Sequence, residues 1–151
     1  MKSTFSDPAC SVARTVELFG DSWTPLIMRD AIMGARRFDE FQKSLGIARN
    51  VLSTRLTRLV ERGVMTKRLY QEHPPRREYI LTDKGRDFFS VLIAMREWEA
   101  RWLDEGSADS VTLHHSSCRH ELTARTICGS CGADIALDDI EFHAEPACRE
   151  G

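Results

Sequence analysis

The stretch Arg36–Gly85, RRFDEFQKSLGIARNVLSTRLTRLVERGVMTKRLYQEHPPRREYILTDKG, decides the fold. Phe38, Phe41 and Leu45 repeat at helical spacing, and Gly46 makes a tight turn after them. A second helix follows over about 49–62. Its Leu52, Leu56, Leu59 and Val60 fall at i, i+4, i+7 and i+8, one apolar stripe. The other face carries Asn50, Thr54, Thr57, Arg58 and Glu61, flanked by Arg49, Ser53 and Arg55. Gly63 closes that helix. Val64–Tyr70 and Arg77–Leu81 are rich in β-formers and flank QEHPPR, a Pro-containing basic loop. Helix, turn, helix and hairpin in this order describe a winged helix-turn-helix, mainly α with a small β-hairpin. That architecture offers one helix to the DNA major groove and one basic loop to the neighbouring backbone.

Working outward, residues 10–19 place Val12, Val16 and Phe19 on one helical face, ended by Gly20. A second helix opens at a cap on Asp21 or Ser22, with Pro25 in its first turn, where a missing N–H costs little. Its expected apolar face is Trp23, Leu26, Ile27, Ala31 and Met33, and Gly34 stops it. Thr82 reads as the N-cap of a long helix over about 83–103, with Phe88, Leu92, Met95, Trp98 and Trp102 in a stripe. DEGSADS (104–110) then reads as a linker. Beyond it lie short β-like pieces, Val111–Leu113 and Leu122–Ile127, and four of the five cysteines. We therefore expect two domains, a DNA-binding and dimerisation domain over 1–103 and an acidic Cys/His-containing extension over 104–151.

The net charge of −2 conceals an asymmetry. Residues 1–103 hold 18 Lys and Arg against 13 Asp and Glu, a net of +5, and residues 104–151 hold 3 against 10, a net of −7. Within 36–77 the count is 11 against 4, a net of +7, placed where phosphate contacts are needed. The N-terminus, MKSTFSDPAC, lacks a signal-peptide apolar core, and no apolar run is long enough to cross a bilayer. A cytoplasmic protein without membrane association is expected. No catalytic triad, paired-carboxylate site or phosphate-cradling glycine loop is present, so no enzyme activity is expected.

At double-stranded DNA, Asn50 suits bidentate contact with adenine, and Arg49 or Arg55 suits guanine. Ser53, Thr54 and Thr57 are short hydrogen-bonding side chains that let the helix approach base edges. Arg36, Arg37, Lys43 and Arg58 suit phosphates, and His73, Arg76 and Arg77 lie at the wing tip. A two-fold reader of a palindromic or pseudopalindromic operator needs a two-fold protein. Trp98, Trp102, Val12 and Val16 are the expected homodimer surface.

The blocks CSVARTVELFGDSWTPLIMRD, RRFDEF, VLSTRLTRLVERGV and PPRREYILTDKG, in this order over about 10–103, closely resemble the HxlR-type bacterial transcriptional regulators. The resemblance implies a dimeric winged-helix DNA-binding protein, with Ser53, Arg55 and the Pro74-Pro75-Arg76 wing at family motif positions. The family often has Cys-Pro where this chain has Cys10-Ser11, and Lys where it has Ser22. Some members use a cysteine at the Cys10 position to sense electrophiles or oxidants. Cys10 starts the first helix with Arg14 one turn on, and both a helix N-terminus and a nearby cation stabilise a thiolate. It is the candidate thiol sensor.

The tail reads as His115-x2-Cys118, nine residues, then Cys128-x2-Cys131, each pair resembling one knuckle of a zinc ribbon. Zinc takes four N and S ligands in a tetrahedron, and disulfides are disfavoured in a reducing compartment. Zinc on His115, Cys118, Cys128 and Cys131 is one reading, and a metal-free tail, reduced or disulfide-linked, is the other. His114, His120, His143 and Cys148 compete for the fourth place. No organic cofactor is implied. Two further functions stand beside the regulator. One is an interaction module that recruits partners through the acidic tail. The other is a thiol–disulfide enzyme at Cys128 and Cys131, which lacks the strand–helix setting such chemistry uses.

Overall fold

In the computed structural model, residues 10–103 and 111–143 are described. They form two compact units, divided between Phe89 and Ser90. The linker expected at 104–110, and Cys148, lie outside the described residues. Among those described, no helix is long and apolar enough to cross a membrane.

The first unit is helical with one hairpin. Helix α1 spans Ser11–Phe19, α2 Thr24–Ile32, α3 Phe38–Leu45 and α4 Arg49–Glu61. Strands β1 (Met65–Gln71) and β2 (Arg76–Leu81) pair antiparallel, and α5 (Asp83–Asp87) follows. The bounds of α3 match the expectation, because their causes are local. Glu40 Oε2 accepts from Arg36 N at 2.7 Å and Arg37 N at 3.0 Å, satisfying donors at the start of α3. Those two N–H groups, chiefly that of Arg36, hold the Glu40 carboxyl below its usual range. Gly46, at φ +61, ends α3 and donates its N–H to Gln42 O at 3.0 Å.

The core lies where α2, α3 and α4 meet the base of the hairpin. Ile27, Met28, Phe41, Leu52, Leu56, Leu59, Val64 and Met65 are buried. Two expectations need correction. On α2 the buried residues are Thr24, Ile27, Met28 and Asp30, whereas Leu26 and Met33 are exposed. The helix is therefore rotated from the face that hydropathy alone selects. Asp21 sets its start, its Oδ1 accepting from Trp23 N at 2.9 Å and Thr24 N at 3.0 Å. The long helix expected over 83–103 is two, α5 and then α6 (Phe89–Trp102). The break falls at Phe88, whose buried ring stacks on Phe19 with centroids 3.9 Å apart.

The second unit begins with α6 and continues in the tail. The β-like pieces expected at 111–113 and 122–127 do not form strands. Isolated bridges join His114 to Glu121 and Ile127 to Asp134, and a short 3-10 turn covers Leu137–Asp139. The backbone bonds close tight turns here and leave no run of alternating pairs for a ladder.

Candidate nucleic-acid interface

The site is built on α4, the turn before it and the hairpin. The leucine seam Leu52, Leu56 and Leu59 faces the core at 0–1% exposure, which turns the opposite face outward. Asn50, Ser53, Thr54 and Thr57 are exposed on that face. Thr54 Oγ1 donates to Asn50 O at 2.9 Å, so this hydroxyl already has a partner within its own helix. Arg49, in the first turn of α4, lies over the Phe38 ring at 4.9 Å from the centroid. That stacking steadies the guanidinium while leaving it exposed at the helix start.

Arg55 and Arg58 of α4 are engaged within the protein, and Arg62, just past its end, stays exposed. Arg55 Nε stands 3.1 Å from Asp21 Oδ1 at 28% side-chain exposure, an ion-pair distance without hydrogen-bond alignment. Arg58 Nη2 donates to the backbone carbonyl of Glu17. Arg62 Nη2 lies 3.5 Å from Glu17 Oε1. These contacts tie the recognition helix to α1 and to the start of α2. Asp21 is the junction. Burial opposes its ionisation. The Thr24 hydroxyl, the Trp23 and Thr24 N–H groups and the Arg55 charge outweigh that and hold its carboxyl below the usual range. The sequence places Arg55 and Arg58 among base and phosphate contacts, whereas in this structure both are engaged within the protein.

The wing carries the remaining cations. In register, Met65 faces Leu81, Lys67 faces Tyr79 and Arg68 faces Glu78, with a bulge between Leu69 and Gln71. Arg68 Nε and Nη2 both donate to Glu78 Oε1, at 2.8 and 2.6 Å, pinning the middle of the ribbon. Arg37 lies over the Tyr70 ring at 4.7 Å, linking the N-terminus of α3 to the wing. At the tip, Gln71 Nε2 donates to His73 O at 3.1 Å, and the His73–Pro74 peptide is cis. His73, Arg76 and Arg77 are exposed there, as are Arg36 and Lys43 at α3. Sequence reasoning passed over Lys67 and Arg68, exposed cations in the middle of β1. Their charge within the β-rich run was the signal that could have found them.

Two other groups of predicted site residues lie elsewhere. Cys10 caps α1, its half-buried Sγ accepting from Ala13 N at 3.5 Å. In the tail, Cys118 Sγ is 3.5 Å from His115 Nδ1. Cys128 is held below the usual thiol range by the N–H groups of Cys131 and Ser130 and by the Cys131 thiol. The four candidate metal ligands thus stand as two pairs. Among the described residues, no group of three or more His, Cys, Asp or Glu is placed to hold a metal ion.

The chain resembles known proteins along most of its length. The model of the HxlR-like helix-turn-helix matches residues 18–107. An HTH-type transcriptional regulator of Mycobacterium tuberculosis is 38% identical over 130 residues, 86% of this chain and 82% of the relative. Among solved structures, PA1607, a candidate transcription factor, superposes with a TM-score of 0.80 at 38% identity, covering 92% of this chain and 97% of its own. The redox regulator HypR in its reduced form gives a TM-score of 0.59 at 29% identity, over 63% of this chain and 95% of its own. With its leucine-seated α4, its wing and this run of matches, the chain belongs to the HxlR-like helix-turn-helix family of transcriptional regulators.

Proposed function

We propose that this regulator is a cytoplasmic homodimer that binds double-stranded DNA at a palindromic or pseudopalindromic operator and responds to thiol chemistry at Cys10. One observation carries the DNA reading. Helix α4 exposes a row of short hydrogen-bonding side chains, Asn50, Ser53, Thr54 and Thr57, backed by a buried leucine seam. Short polar groups on a rigid helix can reach base edges in the major groove. Lys43, Arg36, Arg76 and Arg77 surround that face with phosphate-binding charge.

Exposed apolar groups support the dimer. Val12 and Val16 on α1, and Met95, Trp98 and Trp102 on α6, are all roughly half exposed or more. Two tryptophans open to water on one helix mark an interaction surface. Cys10 supports the thiol response, since its half-buried sulfur stands at the N-terminus of α1, where it accepts from Ala13 N, and the family likeness extends to a redox regulator.

Selection of bound duplexes from random DNA, followed by a gel shift with salt titration, tests the reading. A two-fold motif is expected, with affinity falling steeply as salt rises. Binding that ignores salt and sequence would instead favour the interaction-module reading. Alkylation of Cys10 is expected to release the DNA. A Cys10 as sluggish as a free model thiol ends the sensing role.

A further inference from the structure

Two turns in the tail are built on one plan. In the first, His115 N donates to His120 O at 3.0 Å and Arg119 N donates to His115 O at 2.8 Å. A bridge joins His114 to Glu121. In the second, Cys128 N donates to Ala133 O at 2.8 Å and Gly132 N donates to Cys128 O at 2.8 Å. A bridge joins Ile127 to Asp134. Counted from His115 and from Cys128, every bond falls at the same offset. The backbone sign repeats as well, for Arg119 has φ 64 and Gly132 has φ 75. Holding a non-glycine residue there costs about 1–2 kcal/mol, so the first turn keeps its shape against a local penalty.

The chemistry repeats with the geometry. Each turn sets two zinc-type donors three residues apart, His115 with Cys118 and Cys128 with Cys131. Zn–S near ~2.3 Å and Zn–N near ~2.05 Å place sulfur and nitrogen about 3.5 Å apart on one edge of a tetrahedron. Cys118 Sγ and His115 Nδ1 already stand at 3.5 Å. Two of the competing histidines have contacts of their own. His114 turns Nδ1 to Arg119 O at 3.3 Å, and His143 lies 3.4 Å from Glu141. No described residue of 111–143 is buried, so apolar packing contributes little to the order described there.

We propose that the two turns are the halves of one Zn2+ site, with His115 and Cys118 forming one edge of the tetrahedron and Cys128 and Cys131 the opposite edge. The donors fit zinc in number and type, and His115 with Cys118 fits it in spacing as well. The two edges do not converge in this structure, so binding draws the turns together and couples metal uptake to ordering of the tail. This site stands apart from the DNA-binding reading and does not depend on it.

The full chain, purified without chelator and reduced with a phosphine, is titrated with Zn2+ and separately with Co2+. One ion per chain is expected, with the strong visible bands of tetrahedral cobalt and a sulfur-to-cobalt charge-transfer band. C128S and C131S are expected to abolish that band. H115A weakens Co2+ binding roughly 100-fold or more, whereas H114A leaves it within a few-fold. Thermal melting and circular dichroism of each variant show that the winged-helix unit remains folded. Zinc below a tenth of an equivalent after reduction, weak octahedral cobalt bands, one ion shared by two chains, or equal loss in H114A and H115A would overturn the proposal.

Discussion

The winged-helix unit and the tail are ordered by different means. In the first, Ile27, Met28, Phe41, Leu52, Leu56 and Leu59 are 0–1% exposed. Each contributes about 1.5–3 kcal/mol by leaving water, and together they seat α4 so firmly that its polar face is presented without adjustment. In the tail, Ile127, Leu137 and Phe142 are 54%, 75% and 76% exposed, and the order visible there is backbone hydrogen bonding within two small turns. Burial fixes which face α4 turns outward. Turns of this size hold their own shape, but short segments without a core need a staple to hold them together. One chain thus carries a unit that stands on apolar packing and a segment whose described order is backbone hydrogen bonding within its turns.

The largest expected effect breaks the first half of that contrast. Leu56→Ala empties a fully buried position and is expected to cost about 2–5 kcal/mol in urea denaturation. Amide exchange at Arg119 and Gly132 should remain as in the parent, since those turns do not draw on the core. A cost below ~1 kcal/mol would mean that α4 is not seated as described. Next in size, Asn50→Ala should leave the melting temperature unchanged. It is expected to remove about 1–3 kcal/mol of discrimination at one operator position, read by competition between matched and substituted duplexes.

Asp21→Ala removes the capping carboxylate of α2 and the partner of Arg55, with an expected loss of about 1 kcal/mol near pH 7. Because the folded carboxyl lies below its ordinary value, its stabilisation is present above about pH 4. It is lost as pH falls through the lowered folded value. The gap between parent and variant should therefore close in acid, and a gap unchanged down to pH ~2 would exclude a charge-dependent role. The smallest effect belongs to the wing. Arg77→Gln should weaken binding about equally for all sequences and make the slope of log affinity against log salt shallower by about one.

Legibility in the sequence tracks how local the cause is. Helix α3 is readable to the residue, and α4 and the hairpin are readable to within a residue at most ends. Apolar period, Gly46, Gly63 and the Pro-containing tip all act over a few positions. Met28 and Asp30 are buried in place of Leu26 and Met33 because the rotation of α2 is set by what packs against it. Arg55 and Arg58 looked available on a helical wheel. Their partners, Asp21 and the Glu17 carbonyl, lie far back in the chain, 41 residues away in the second case. Likewise, spacing paired His115 with Cys118 but left other histidines in competition, and the folded turn puts His115 Nδ1 beside Cys118 Sγ.

The amino-acid order by itself determined that a leucine-backed polar helix is followed by a basic ribbon, and that positive charge gathers in the first two thirds while negative charge gathers behind it. Those properties follow from repeat period and composition, which no folding step can alter. Tertiary structure decided which cations stand exposed, which are engaged within the protein, and which donors share a turn. Ion pairing and ligand geometry depend on distance through space over a few ångströms, and only the folded chain sets that distance.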